Sequence, residues 1–373
     1  MKRLIPQLLS AYTLSLLAGI YSAPCLAAPP AAPASAASQD DCSAVRLDAP
    51  GGPMEFSKMP VLNQGNTPLC FAYAAAQMID AYRFSHDTKQ PKQLTSPLAL
   101  ATQDGVYNNE FRTKNHISPL EGGMIWMAIG AGRRAGSCSY EAIQKLPGSE
   151  ELNSAIQELK NLYAYGQARP TASSKLRAPG ENTDEVADLI LCKFPVLETL
   201  SSSNKTIVRQ LKAALRSRSV SPFLKEVIDL ACKNHTTPLS NLPAPEHLDA
   251  DEVLARFPGE KASEHFIHLI HERLSTKNPQ PIGITYCASI LFQKNREKSI
   301  FTGDFDYDLN CNLHASVIIG RRKAPDGSCQ FLIRNAAGPT CDSYYDPKQC
   351  ENGQVWVDRK RIGDNLLKLA WIP

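Results

Sequence analysis

Gln64-Gly65-Asn66-Thr67-Pro68-Leu69-Cys70-Phe71-Ala72-Tyr73 places a glutamine six residues before a cysteine, and the cysteine opens an apolar, Ala-rich run from Ala72 to Tyr82. That run contains no glycine or proline and predicts a buried helix. A thiol at a helix N-terminus feels the positive end of the macrodipole, which favours thiolate. The backbone N–H of Cys70 and the side-chain amide of Gln64 are then two donors suited to the oxyanion of a tetrahedral intermediate. Taken alone the pattern does not decide the matter, because a cysteine opening a buried helix is more often a small core residue.

A second segment, far downstream, changes the balance. Leu313-His314-Ala315-Ser316-Val317-Ile318-Ile319-Gly320 has the β-branched density of a buried strand with a histidine near its start. Ala324-Pro325-Asp326-Gly327 signals a turn, and Cys329-Gln330-Phe331-Leu332-Ile333-Arg334-Asn335 reads as the returning strand. Such a hairpin brings Asn335 beside His314. The asparagine would fix the imidazole tautomer and leave the other ring nitrogen for the thiol.

These residues resemble the papain-family (cathepsin-like, C1) cysteine peptidases, in a bacterial-type secreted form. The family's order of Gln, Cys, His and Asn falls on Gln64, Cys70, His314 and Asn335. Ile117-Ser118-Pro119-Leu120-Glu121-Gly122-Gly123 resembles the double-glycine wall of the family's substrate groove. The resemblance implies main-chain contact of Gly122 and Gly123 with an extended peptide, since only glycine lets two backbones approach so closely. It also implies that Ala315 lines the S2 pocket. The fold it implies is α+β: a papain-like two-lobed fold, with a helical lobe and an antiparallel β-barrel-like lobe.

The departures from the family pattern are specific. Cys-Gly-Ser-Cys-Trp is here Thr67-Pro68-Leu69-Cys70-Phe71, and the usual disulfide partner two residues before the double glycine is Leu120. Both ends of that bridge are replaced together. Asn-Ser-Trp-Gly is here Asn335-Ala336-Ala337-Gly338, without the tryptophan that shields the His–Asn hydrogen bond. Cys70 and His314 stand 244 positions apart, against about 130–150 in the family pattern. The extra chain falls between 149 and 280, where amphipathic stretches (Glu150–Tyr165, Thr183–Phe194, Thr206–Ser217, Pro222–Asn234, Lys261–Ser275) alternate with Pro/Gly breakers. This predicts an inserted all-helical segment.

The expected organisation is therefore a signal peptide at 1–28, a Pro/Ala-rich linker at 29–55, and a helical lobe at 56–148. The helical insertion (149–280) and a β lobe at 281–373 follow. The signal reading rests on Met1-Lys2-Arg3, an apolar stretch to Tyr21, and small residues around Ala23 to Ala28. It predicts a secreted or periplasmic protein. Eleven cysteines fit an oxidising destination. Cys192 and Cys232, both on predicted helices of the insertion, are expected to pair, and Cys341 with Cys350 to close a short loop.

Other classes have less support. Glu264-His265-Phe266-Ile267-His268-Leu269-Ile270-His271-Glu272 puts histidines at three-residue steps, but no complete ligand set appears, so neither metal nor cofactor is expected. The formal net charge is +3 with no basic stripe, which argues against nucleic acid. The expected partner is a polypeptide substrate, with no membrane association after signal cleavage; oligomeric state is not encoded in any motif. The functional expectation is a thiol endopeptidase. The alternatives are a Cys-dependent amidase or acyl transferase, and a catalytically weak or inactive papain-like binding protein.

Overall fold

The computed structural model describes residues 42–86, 93–117, 120–144, 152–167, 181–193, 205–217, 220–258, 261–292 and 311–373. The helical part begins with α1 (Cys70–His86), α2 (Pro97–Tyr107), α3 (Asn109–Lys114) and α4 (Ile125–Ala135). α1 starts at Cys70 because Pro68 lacks the N–H to continue a helix upstream, while Ala72 to Ala76 favour helix downstream. Its small side chains let α2, α4 and the sheet close around it, and Phe71 to Ala81 are buried without a break. Ser96 caps α2 by accepting from the Ala99 N–H, with Pro97 at the first helical position.

The chain then passes through α5 (Tyr140–Gln144), α6 (Leu152–Gln167), α7 (Glu181–Lys193), α8 (Lys205–Leu215) and α9 (Val220–Ala231). Phe223, Leu224, Val227 and Ile228 of α9 are buried, and α9 packs on α2. α10 (Ala250–Arg256), α11 (Ala262–Leu274), α12 (Ser289–Phe292) and α13 (Arg359–Gly363) lie among the later strands.

The strands are β1 (Val45–Arg46), β2 (Ser137–Cys138), β3 (Thr236–Thr237), β4 (Glu246–Asp249), β5 (Ile282–Cys287) and β6 (Leu313–Lys323). β7 (Cys329–Arg334), β8 (Cys350–Glu351), β9 (Gln354–Asp358) and β10 (Leu366–Trp371) complete them. The main sheet is antiparallel in the order β4-β10-β5-β6-β7-β9-β8, with β1 on the second half of β6. Its described strands do not close into a barrel. β6 is the spine, and its pleat serves two cores. Ala315, Val317 and Ile319 join the core containing α1, whereas Ile318 joins Ile284, Phe331, Phe266 and Ile270 on the far side. The α+β class, a helical part against an antiparallel sheet, is what the family resemblance implies.

Several boundaries differ from expectation. Residues 42–55 are not a linker: Cys42 is bonded to Cys329, β1 pairs with β6, and Leu47 and Met54 are buried. Gly320 lets this segment in, since a Cβ there would stand 2.5 Å from the Val45 carbonyl oxygen. Residues 1–41, including the expected signal peptide, lie outside the described residues. The stretch 149–280 is not helical throughout. β4 is a full member of the main sheet, and α11 packs its Phe266 and Ile270 into the core beneath it. Edge pairing and burial, which a helical periodicity scan does not register, decide this.

Four disulfides are present among the described residues: Cys42–Cys329, Cys138–Cys232, Cys287–Cys311 and Cys341–Cys350. Cys232 is therefore bonded to Cys138, which corrects the expected Cys192–Cys232 pair. The reason is local: β3 pairs with β2, carrying the end of α9 to within 5.5 Å (Cα–Cα) of Cys138. The side chain of Cys192 lies outside the described residues. No described helix is long and apolar enough to cross a membrane.

Two of the three histidines of α11 have structural partners. His265 stacks on Phe257, and the His271 ring and carbonyl both meet Arg321 Nη1, at 3.1 and 3.0 Å.

Candidate active site

Cys70 is half-buried at the first residue of α1 and is the free cysteine among the described residues. Three backbone N–H groups, of Ala315, Phe71 and Cys70 itself, interact with its sulfur. Burial nonetheless pushes the thiol pKa up, and these donors only moderate the shift. His314 is the second residue of β6, one before Ala315, and lines the same cavity as Cys70. Burial pulls its pKa below 6.5, with the Asn335 hydrogen bond opposing. Desolvation thus favours the neutral thiol–imidazole pair at rest, while the N–H groups and Asn335 favour the charged one.

The tautomer follows from the backbone. Asn335 Oδ1 lies 2.8 Å from the Ala336 N–H, which can only donate, so the atom facing it is the oxygen. His314 Nε2 sits 2.7 Å from that same oxygen and must carry its proton. In the neutral ring Nδ1 is then the unprotonated nitrogen. Asn335 is 2% exposed, directly after β7, where the register of β6 and β7 (Val317 opposite Arg334) extends to set it beside Ser316.

Two tyrosines lie against the His–Asn pair. Tyr286, opposite His314 across β5 and β6, meets the imidazole edge-on at 5.7 Å between centroids. The Tyr344 hydroxyl donates to the Gly353 carbonyl at 2.9 Å and is hydrogen-bonded by the Asn335 side chain. Both tyrosines are buried. Sequence reasoning missed them, and Ser316: Tyr286 and Ser316 become neighbours only through strand register, and Tyr344 comes from the turn between β7 and β8.

Gln64 is held by its main chain, whose N–H donates to the Ala336 carbonyl at 2.8 Å. Its Nε2 donates to the Thr67 carbonyl at 3.0 Å, in the turn that leads into Cys70, and its Oε1 is buried without a partner. One hydrogen of Nε2 is left for another acceptor.

The double-glycine segment is anchored from behind. The Gly122 N–H donates to the Pro68 carbonyl (3.0 Å), and the Gly122 carbonyl accepts from Arg112 Nη1 (3.0 Å). Gly122 has φ +73°, and a Cβ on Gly123 would stand 2.5 Å from the Phe71 ring. Phe71 therefore seats Gly123 directly. Gly123→Ala is expected to lower stability by about 1–3 kcal/mol through overpacking, read as a lower urea midpoint at an unchanged slope.

Cys70, Gly122, Gly123, His314 and Ala315 line one cavity of about 320 Å³. Asp249, Ala250, Asp251 and Lys368 also line it, and Lys368 Nζ pairs with Asp249 Oδ2 at 2.7 Å. The acidic residues come from the end of β4 and the start of α10, inside the stretch expected to be an insertion. No described residue of α6 to α9 lines it.

No family model and no curated protein matches the sequence. Among solved structures, similarity is found to the proform of the ragweed pollen cysteine protease Amb a 11, at 13% identity and TM-score 0.40. That alignment covers 88% of this chain and 64% of the ragweed protein, so the chain spans less than two thirds of it. Xylellain, a cysteine protease from Xylella fastidiosa, aligns at 15% identity and TM-score 0.38, covering 88% of this chain and 85% of the other. Bromelain from Ananas comosus, in complex with the E64 inhibitor, aligns at 11% identity and TM-score 0.38, covering 88% and 97%. Scores this low say nothing of activity; the functional reading rests on the geometry of the site.

Proposed function

We propose that this chain is a papain-like thiol endopeptidase of an oxidising, extracytoplasmic compartment. The observation that carries the reading is the Asn335 amide. The Ala336 N–H orients it so that His314 keeps its proton on Nε2 and presents Nδ1 as a base, in the cavity that also holds the free Cys70. In the proposed reaction His314 Nδ1 takes the Cys70 proton as the sulfur attacks a peptide carbonyl carbon. The carbonyl oxygen becomes an oxyanion held by the Cys70 N–H and the spare hydrogen of Gln64 Nε2. His314 returns the proton to the leaving amine, and the C–N bond breaks to give a thioester. Water, deprotonated by His314, then releases the acid and restores the thiol. Gly122 and Gly123 offer main-chain contacts to an extended peptide, and Ala315 lines a side-chain pocket.

The four disulfides support the compartment. The test is labelling of purified protein with a peptidyl-epoxide thiol probe, followed by intact mass, with Cys70→Ala as control. One adduct on the wild type and none on the variant is the expected result. Folded protein that takes no label would instead favour a binding role for the same groove. Label without peptide cleavage would favour an amidase or acyl transferase.

A further inference from the structure

The face of β6 that carries His314 also carries Ser316, two residues on, and β5 places Tyr286 on that same face. The Ser316 hydroxyl lies 3.2 Å from Asn335 Oδ1 and 2.9 Å from the Tyr286 hydroxyl. Both side chains are buried, Ser316 at 1% exposure and Tyr286 at 0%. Ser316 can donate only one proton, and Oδ1 can only accept. Once Ser316 donates to Oδ1, the Tyr286 hydroxyl must donate to Ser316. The direction of the chain is therefore set: Tyr286 O–H to Ser316 Oγ, Ser316 O–H to Asn335 Oδ1, and His314 Nε2–H to the same oxygen.

We propose that Ser316 and Tyr286 are positioning residues that act on His314 through Asn335. The Ala336 N–H and the Ser316 hydroxyl hold Oδ1 from two sides, so the oxygen stays where the imidazole N–H needs it. Tyr286 closes the far end of the hydroxyl chain and also sets its ring edge against the imidazole. The pair thereby encloses the His–Asn hydrogen bond with contacts from one strand pair. A network whose members all find partners gains in rigidity what a half-satisfied one would lose. The effect on rate rests on the proposed peptidase reading; the effect on the histidine proton does not.

Valine and threonine at position 316 have nearly the same shape, and both suit a buried strand, so comparing them isolates the hydroxyl. Ser316→Thr is expected to stay within about threefold of wild-type kcat, whereas Ser316→Val falls about tenfold with KM unchanged, the scale of one hydrogen bond. In proton NMR the His314 Nε2–H of the wild type and of Ser316→Thr exchanges slowly with solvent. In Ser316→Val it exchanges at least tenfold faster. Tyr286→Phe keeps the ring and removes the hydroxyl, and should move both readouts in the same direction by a smaller factor, so it decides the matter if Ser316→Val does not fold. Equal exchange and equal kcat in folded Ser316→Val and Ser316→Thr would overturn the proposal. A changed exchange rate in a protein without peptidase activity would leave the relay standing and remove the peptidase reading instead.

Discussion

Replacing His314 with alanine is expected to lower peptide hydrolysis by about 10²–10⁴-fold, the range general-base catalysis contributes. The substitution removes the base, and it also leaves Cys70 with nothing but backbone donors to stabilise its charge. Burial already raises the Cys70 thiol above its ordinary value of 9.0. Without His314, alkylation by a small neutral reagent such as iodoacetamide should therefore require pH above 9. In the proposed reaction the limiting group at acid pH is His314, whose value lies below 6.5 because burial disfavours the imidazolium. As pH falls through that depressed value the base is protonated, and hydrolysis declines; above it, hydrolysis is sustained. The variant has no such acid limb. A His314→Ala protein that keeps wild-type turnover, or shows the same acid limb, would remove His314 from the reaction. Far-UV circular dichroism guards the comparison, since the half-exposed end of β6 bears little of the core.

Much of this site was legible because its parts are local. A proline, an alanine run and a cysteine at their junction define the start of α1 without tertiary information. The β6–β7 hairpin was legible for the same reason: Gly327 adopts φ +87° in the expected turn, and Ser328 is held by Asp326, as the Asp-Gly signal implies. Asn335 follows from the hairpin by simple register. What escaped depends on partners remote in sequence. Tyr286 reaches His314 only because β5 pairs with β6, across a long connection. β4 reads as four polar-leaning residues, Glu246 to Asp249, and becomes a strand because β10 offers it an edge. The Cys138–Cys232 bridge depends on a two-residue ladder between β2 and β3. Residues 42–55 look like linker by composition, yet one disulfide and a few buried apolar side chains fix them.

The anchoring of the Gly122 segment leads to the second large effect, at Arg112. Its Nη1 pairs with Asp104 Oδ2 at 2.7 Å and donates to the Gly122 carbonyl at 3.0 Å; the two charged side chains are 4% and 1% exposed. Arg112→Met keeps the apolar stem but strands the Asp104 carboxylate in the core, at an expected cost of about 3–5 kcal/mol. Burial already raises the pKa of Asp104, against the pull of Asn108, Arg112 and the more distant Arg134. Losing Arg112 raises it further. A carboxyl group whose folded pKa exceeds its unfolded value penalises folding above the folded pKa, and the penalty fades as pH falls through it. The deficit of the variant should therefore be largest near neutral pH and shrink on acidification, in urea titrations run at both. Asp104→Asn in the same background should recover part of it, since the stranded charge is gone. Activity should not recover with stability: the Gly122 carbonyl still lacks its donor, so hydrogen exchange at residues 120–124 stays fast in the double variant. If the loss were the same at every pH, Asp104 would not be the cause, and the Gly122 segment would owe its position to the Pro68 contact instead.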